Sequence, residues 1–185
     1  MSKIKTVSRT ELREKNKAAG KKLIAGASVY VIVTIILAVI QTCGFELFGC
    51  SVAFILSLVC SVGFVFGEKE GAALGLFGGF VCDCLGTVGF SILPLFYMLC
   101  GYICGIMIKW FLSRNLPSFV IYCLIVGILR EGVTFLYYML YSENFRFFET
   151  VIKVLIPEYF AFVLFSPLMY LLSVLIKRIL MRNRK

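Results

Sequence analysis

Residues 71–83 read GAALGLFGGFVCD, with Gly71, Gly75 and Gly79 spaced by four and Asp83 continuing the series. On an α-helix this spacing puts all four on one face, because residues four apart lie one above the other. That face is smooth for two turns and ends in a carboxylate. The run belongs to a chain of 185 residues that is 61% hydrophobic and 15% aromatic, with a mean hydropathy of +0.96. Soluble domains are roughly 45–50% apolar, disordered chains are poor in aromatics, and membrane barrels show short alternating segments instead of long apolar runs. The class that remains is an all-α integral membrane protein, limited by its length to a handful of spans. In lipid, where apolar surface gives helices no reason to associate, glycines at this spacing let two backbones approach closely. Gly71, Gly75 and Gly79 therefore predict a tight helix contact, internal or with a partner, and Gly101 and Gly105 repeat the device downstream.

Working outward, six apolar segments cover residues 23–40, 47–66, 71–85, 92–108, 118–141 and 159–176. Most are long enough for ~30 Å of hydrocarbon at about 1.5 Å per residue, and the third extends through the uncharged residues 86–90. The first is too long, and its positive flank too mixed with Glu11 and Glu14, for a cleaved signal peptide, so it reads as a retained span. If the N-terminal tail, residues 67–70, residues 109–116 and the C-terminal tail share one side, that side holds sixteen Lys/Arg. The opposite loops hold only Arg146 and Lys153. The positive-inside rule then predicts a six-transmembrane-helix bundle in the plasma membrane with both termini cytoplasmic. In the last outer loop, Phe145, Phe148, Ile152 and Leu155 recur at helical spacing between charged residues. This suits a short helix in the outer interface or a loop packed on its neighbours. Pro157 starts the sixth span and Pro167 is expected to kink it.

The formal charge of +9 is concentrated at the ends. Residues 1–22, a basic cytoplasmic tail, carry eight Lys/Arg and two Glu, and residues 177–185, a second basic tail, carry five Lys/Arg and no acid. The membrane domain between them, residues 23–176, holds six Lys/Arg and eight Asp/Glu. With no basic face interleaved with aromatics, nucleic acid is not an expected partner. Basic flanks fit a topology signal or contact with anionic lipid of the bilayer.

The absence of histidine removes His-based triads, proton relays and metal ligands. Cys60, Cys82, Cys84, Cys100, Cys104 and Cys123 lie inside apolar runs, where a thiol behaves as a small hydrophobe, at spacings unlike redox or zinc sites. Cys43 and Cys50 flank one loop; free thiols are expected there, with a bridge as the alternative if the loop faces an oxidising space. No catalytic residue, metal ligand or cofactor is predicted, and the Pro157-Glu158 pair carries no weight by itself.

Three ionisable residues lie within spans: Asp83, Arg130 and Glu131. Each costs about 3 kcal/mol or more at mid-bilayer unless paired or hydrated. Asp83 lies thirteen residues beyond Glu70 and Arg130 thirteen beyond Pro117, placing both ~20 Å from the cytoplasmic face. Equal depth predicts an Asp83–Arg130 salt bridge between the third and fifth helices. Glu131, about 100° around the helix from Arg130, is read as a separate case: a member of a structural polar cluster that orients helices, or a proton carrier.

The run from Gly71 to Asp83, continued through Gly86, Gly89 and Leu93 to Gly101, Tyr102 and Gly105, resembles the rod shape-determining protein MreD family. The likeness extends over residues 23–180 in hydropathy and size and over residues 71–105 in motif, while the basic tail at 1–22 is longer than it implies. The resemblance implies a non-enzymatic membrane subunit of the bacterial cell-elongation machinery that makes peptidoglycan. Its implied partners are the bitopic MreC, the actin-like MreB filament, and the RodA polymerase with its transpeptidase. It also implies a fold like that of the substrate-binding (S) components of energy-coupling-factor vitamin transporters, and such a component is the alternative function. Those proteins carry an Ala-x3-Ala docking motif on the first span. Here Ala25, Ala27 and Ala38 do not have that spacing, and Tyr97, Tyr102, Tyr137, Tyr138 and Tyr141 are the aromatic hydroxyls a polar vitamin could use.

Overall fold

The computed structural model describes residues 28–41, 46–47, 50–51, 53–85, 93–110, 115–141 and 151–182. Six helices stand at the six apolar segments: α1 (Ser28–Gln41), α2 (Phe54–Val65), α3 (Glu68–Cys84), α4 (Leu93–Trp110), α5 (Leu116–Tyr141) and α6 (Ile156–Arg182). Between α1 and α2 a two-residue antiparallel ladder pairs Glu46 with Ser51 and Leu47 with Cys50. The chain is otherwise helical among the described residues. Three helices, α4, α5 and α6, contain stretches long and apolar enough to cross a membrane.

α2 is shorter than its apolar segment suggests. Residues 47–66 read as one span, yet α2 has 12 residues, about 18 Å of helix. Its environment supplies the physical reason. Every residue of α2 is buried, so its outer surface is protein, and its apolarity on all sides is that of a central core helix. Tyr30 and Ala38 of α1, Leu74 and Cys82 of α3, Tyr97, Cys100 and Cys104 of α4, Phe119, Tyr122, Cys123 and Val126 of α5, and Phe162 of α6 complete that core. Phe64 meets Phe119 and Tyr170 edge-on at 5.4 and 5.7 Å, and those two rings stack at 5.2 Å.

Prolines set two starts. Pro94 and Pro117 each occupy the second residue of a helix, where the missing N–H removes no intrahelical bond and the fixed φ favours helix. Pro167 is different, since α6 runs unbroken through it. The carbonyl that its absent N–H would have served is that of Val163, and Ser166 Oγ donates to it at 2.9 Å. Gly67, with φ of 134°, turns the chain between α2 and α3 in a conformation only glycine adopts readily. Lys177, assigned to the tail from sequence, lies on α6 and donates from Nζ to the Val65 carbonyl at 2.7 Å, closing the C-terminal end of α2.

Several buried polar groups of the interior are paired by hydrogen bonds. Ser61 and Ser173 share a 2.6 Å bond between α2 and α6, Tyr30 donates to the Ser173 carbonyl at 3.3 Å, and Tyr122 donates to the Cys100 carbonyl at 2.6 Å. The exterior is apolar: Phe160, Leu164, Leu168, Leu171 and Leu175 recur along one exposed face of α6, as do Ile121, Ile125 and Ile128 on α5. Continuous outward apolar stripes of this extent suit a lipid surrounding. Cys43, residues 142–150 and the 1–22 tail lie outside the described residues, so the Cys43–Cys50 bridge and most of the interfacial helix do too. The end of that loop, Val151–Leu155, is a π-helical turn continuous with α6.

Candidate functional site: a glycine seam and a buried charge cluster

Gly71, Gly75 and Gly79 face α4, which runs antiparallel to α3. A Cβ built on Gly71 would lie 2.6 Å from the Gly63 Cα of α2 and 2.7 Å from the Gly101 carbonyl oxygen. On Gly75 it would lie 2.7 Å from the Tyr97 carbonyl carbon and 2.9 Å from the Met98 Cα; on Gly79, 2.7 Å from the Pro94 nitrogen. Gly101 and Gly105 answer from α4, a Cβ on each standing 2.6 Å from the Gly71 carbonyl carbon and 2.8 Å from that of Gly67. All five glycines are thus in one seam, and the seam is internal to the chain. Two further glycines extend it: Gly63 on α2, and Gly78, whose Cβ would meet Ile55 at 2.8 Å.

Beyond the seam's Glu68 end lies a cleft of about 410 Å³ lined by Phe66, Gly67, Glu68, Glu70, Ile108 and Lys109 among others, with Lys109 3.9 Å from Glu68 across it.

At the other end the charged residues gather, but not as the sequence suggests. Arg130 does not pair with Asp83. Its Nη1 donates to Glu131 Oε1 at 2.7 Å, and its Nη2 reaches Glu158 Oε1 at 3.5 Å. The 100° separation of neighbours on a helix governs the Cα–Cβ directions, whereas the long arginine stem lets the guanidinium fold back onto the next residue. Equal depth is also insufficient for a salt bridge, because the two side chains must share an azimuth. Asp83 instead keeps a buried Oδ1 without a hydrogen-bond partner among the described residues.

Glu158, placed in an outer loop by the sequence reading, is 5% exposed at the start of α6. Another glycine puts it there. Gly127 lies one turn before Glu131 on α5, and a Cβ on it would stand 2.9 Å from the Tyr159 ring and 3.1 Å from Phe162. The bare backbone admits those two rings, Tyr159 donates to the Leu124 carbonyl at 3.4 Å, and Glu158 is carried against Arg130. Tyr97 of α4 lies within electrostatic reach of both Arg130 and Glu158. The result is a cluster of one cation and two carboxylates joining α5 to α6.

Cys60, Cys82, Cys100, Cys104 and Cys123 are buried as reduced thiols, and the reduced Cys84 is exposed. Among the described residues no group of three or more Cys, Asp or Glu is arranged to hold a metal ion. Gly132, one residue beyond the cluster, marks the contrast with the seam, because a Cβ there meets nothing within 4 Å. Gly132→Ala should therefore be neutral or raise stability by up to about 1 kcal/mol, through helix propensity alone. Thermal unfolding of the detergent-solubilised variant checks this, a clear loss being the contrary result.

The chain matches no family model, and no curated protein or solved structure is detectably similar to it.

Proposed function

We propose that this chain is a non-enzymatic, multi-pass plasma-membrane subunit of the bacterial cell-elongation complex, holding an MreC-like bitopic protein together with cell-wall synthases. The observation that supports this reading is the position of the residues that carry the MreD resemblance. Gly71, Gly75, Gly79, Gly101 and Gly105 serve backbone-to-backbone packing of α3 on α4, which makes a stiff block suited to presenting surfaces to other proteins. In this reading the block is a six-span bundle with both basic tails in the cytoplasm, where an MreB-like filament and anionic lipid are the complementary neighbours. A RodA-like polymerase with its transpeptidase would meet the complex within the membrane and outside it.

Affinity purification of the tagged full chain in mild detergent tests the proposal. Recovery of an MreC-like protein with polymerase and transpeptidase is the expected result. Recovery of a coupling ATPase module, or a copurified vitamin, would replace it with the S-component reading.

A further inference from the structure

The cluster of Arg130, Glu131 and Glu158 holds one positive and two negative charges when all three are ionised, and its side chains are only 12%, 10% and 7% exposed. Burying an unmatched charge is expensive, and it is stabilised by a counter-charge or by hydrogen bonds to every lone pair. Neither condition is met at Glu131. Arg130 is shared between two carboxylates, closer to Glu131 at 2.7 Å than to Glu158 at 3.5 Å. Glu131 Oε2 is buried and has no hydrogen-bond partner among the described residues. The residue itself is 7% exposed. The charged and titratable groups facing it are Arg130 from its own helix and Glu158 from α6, with Tyr97 of α4 reaching those two.

We infer that Glu131 Oε2 is the binding point for one small monovalent cation, a proton or an alkali ion, whose charge offsets that of the Glu131 carboxylate. In the proton case one O–H bond forms at Oε2, with the proton drawn from the aqueous phase and returned to it. In the alkali case the carboxylate keeps its charge and the ion stands beside it as a counter-charge. Either occupant weakens the hold of Glu131 on Arg130 and frees the guanidinium to move toward Glu158. Occupancy therefore tightens the link between α5 and α6, and the cluster is an ion-sensitive clamp between those helices. This goes beyond the proposed function and is tested on the purified chain alone, so recovery of partners has no bearing on it.

The test is difference infrared spectroscopy of the full chain in lipid nanodiscs, between about pH 5 and pH 9, in choline chloride and in sodium chloride. A protonated-carboxyl band that appears on acidification in the wild type and is missing from Glu131→Gln is expected if the occupant is a proton. A sodium-dependent shift of the carboxylate bands, also missing from Glu131→Gln, identifies an alkali ion. Glu158→Gln removes the second negative charge and should raise the cation concentration needed by about tenfold or more. This variant also serves by itself if Glu131→Gln does not fold. Wild-type and Glu131→Gln spectra that superimpose in both salts would overturn the inference. So would a Glu158→Gln titration identical to that of the wild type.

Discussion

Replacing Arg130 by alanine is expected to destabilise the protein by about 3–5 kcal/mol, the cost of removing one partner from a buried ion cluster. The guanidinium is bonded to both Glu131 and Glu158. Without it two carboxylates remain in the wall between α5 and α6, each largely cut off from water. They repel one another, and the loss falls on the contact that Gly127, Tyr159 and Phe162 make. The expected observation is a large drop in the unfolding midpoint in detergent, or a chain that no longer purifies as a monodisperse species. A companion variant separates lost charge balance from lost packing. Arg130→Met combined with Glu131→Gln and Glu158→Gln removes all three charges at similar volume, and should recover most of the stability, since neutral replacement of a buried ion cluster is often harmless. An Arg130→Ala protein that unfolds with the wild type would show that the cluster has no structural weight.

How much of this could be read from the sequence follows from what each feature depends on. The six helices were legible because each is a long apolar run, and hydropathy responds to that alone. The length of α2 was not: it is apolar because protein surrounds it, and composition does not distinguish a protein surround from a lipid one. The seam glycines on α3 were legible because a spacing of four is a statement about one helix face. Gly127 was not, since its meaning lies in the Tyr159 and Phe162 rings that arrive from another helix. The cost of burying Arg130 and Glu131 was also legible, but their partner was not. Depth along a helix can be counted from the sequence, whereas the rotation that points Arg130 at Glu158 and away from Asp83 depends on how α5 packs on α6. Glu158 was hidden by its position three residues after the π-helical turn, where the chain still reads as a loop.

Gly75→Ala should cost roughly 1–3 kcal/mol, the usual range for forcing an extra carbon into a well-packed interior, and Gly75→Leu should prevent accumulation of the folded chain. The direction follows from what the new atom meets. At Gly75 the neighbours are the Tyr97 carbonyl carbon at 2.7 Å and the Met98 Cα at 2.9 Å. These are backbone atoms inside α4, so no side-chain rotation can clear them, and α3 and α4 must separate along the seam. Separation is resisted at Gly71, Gly79, Gly101 and Gly105, which make the same kind of contact, so the disturbance spreads over several turns. Unfolding midpoints of Gly75→Ala and Gly132→Ala, measured side by side in one detergent, isolate this effect from helix propensity, because both replace a helical glycine by alanine. The expected result is a loss at position 75 and none at position 132. The same pair also distinguishes an internal seam from a partner-binding face. A glycine face reserved for another protein would leave the isolated Gly75→Ala chain as stable as the wild type while abolishing copurification. An internal seam lowers the stability of the isolated chain, and any effect on partners follows from that loss.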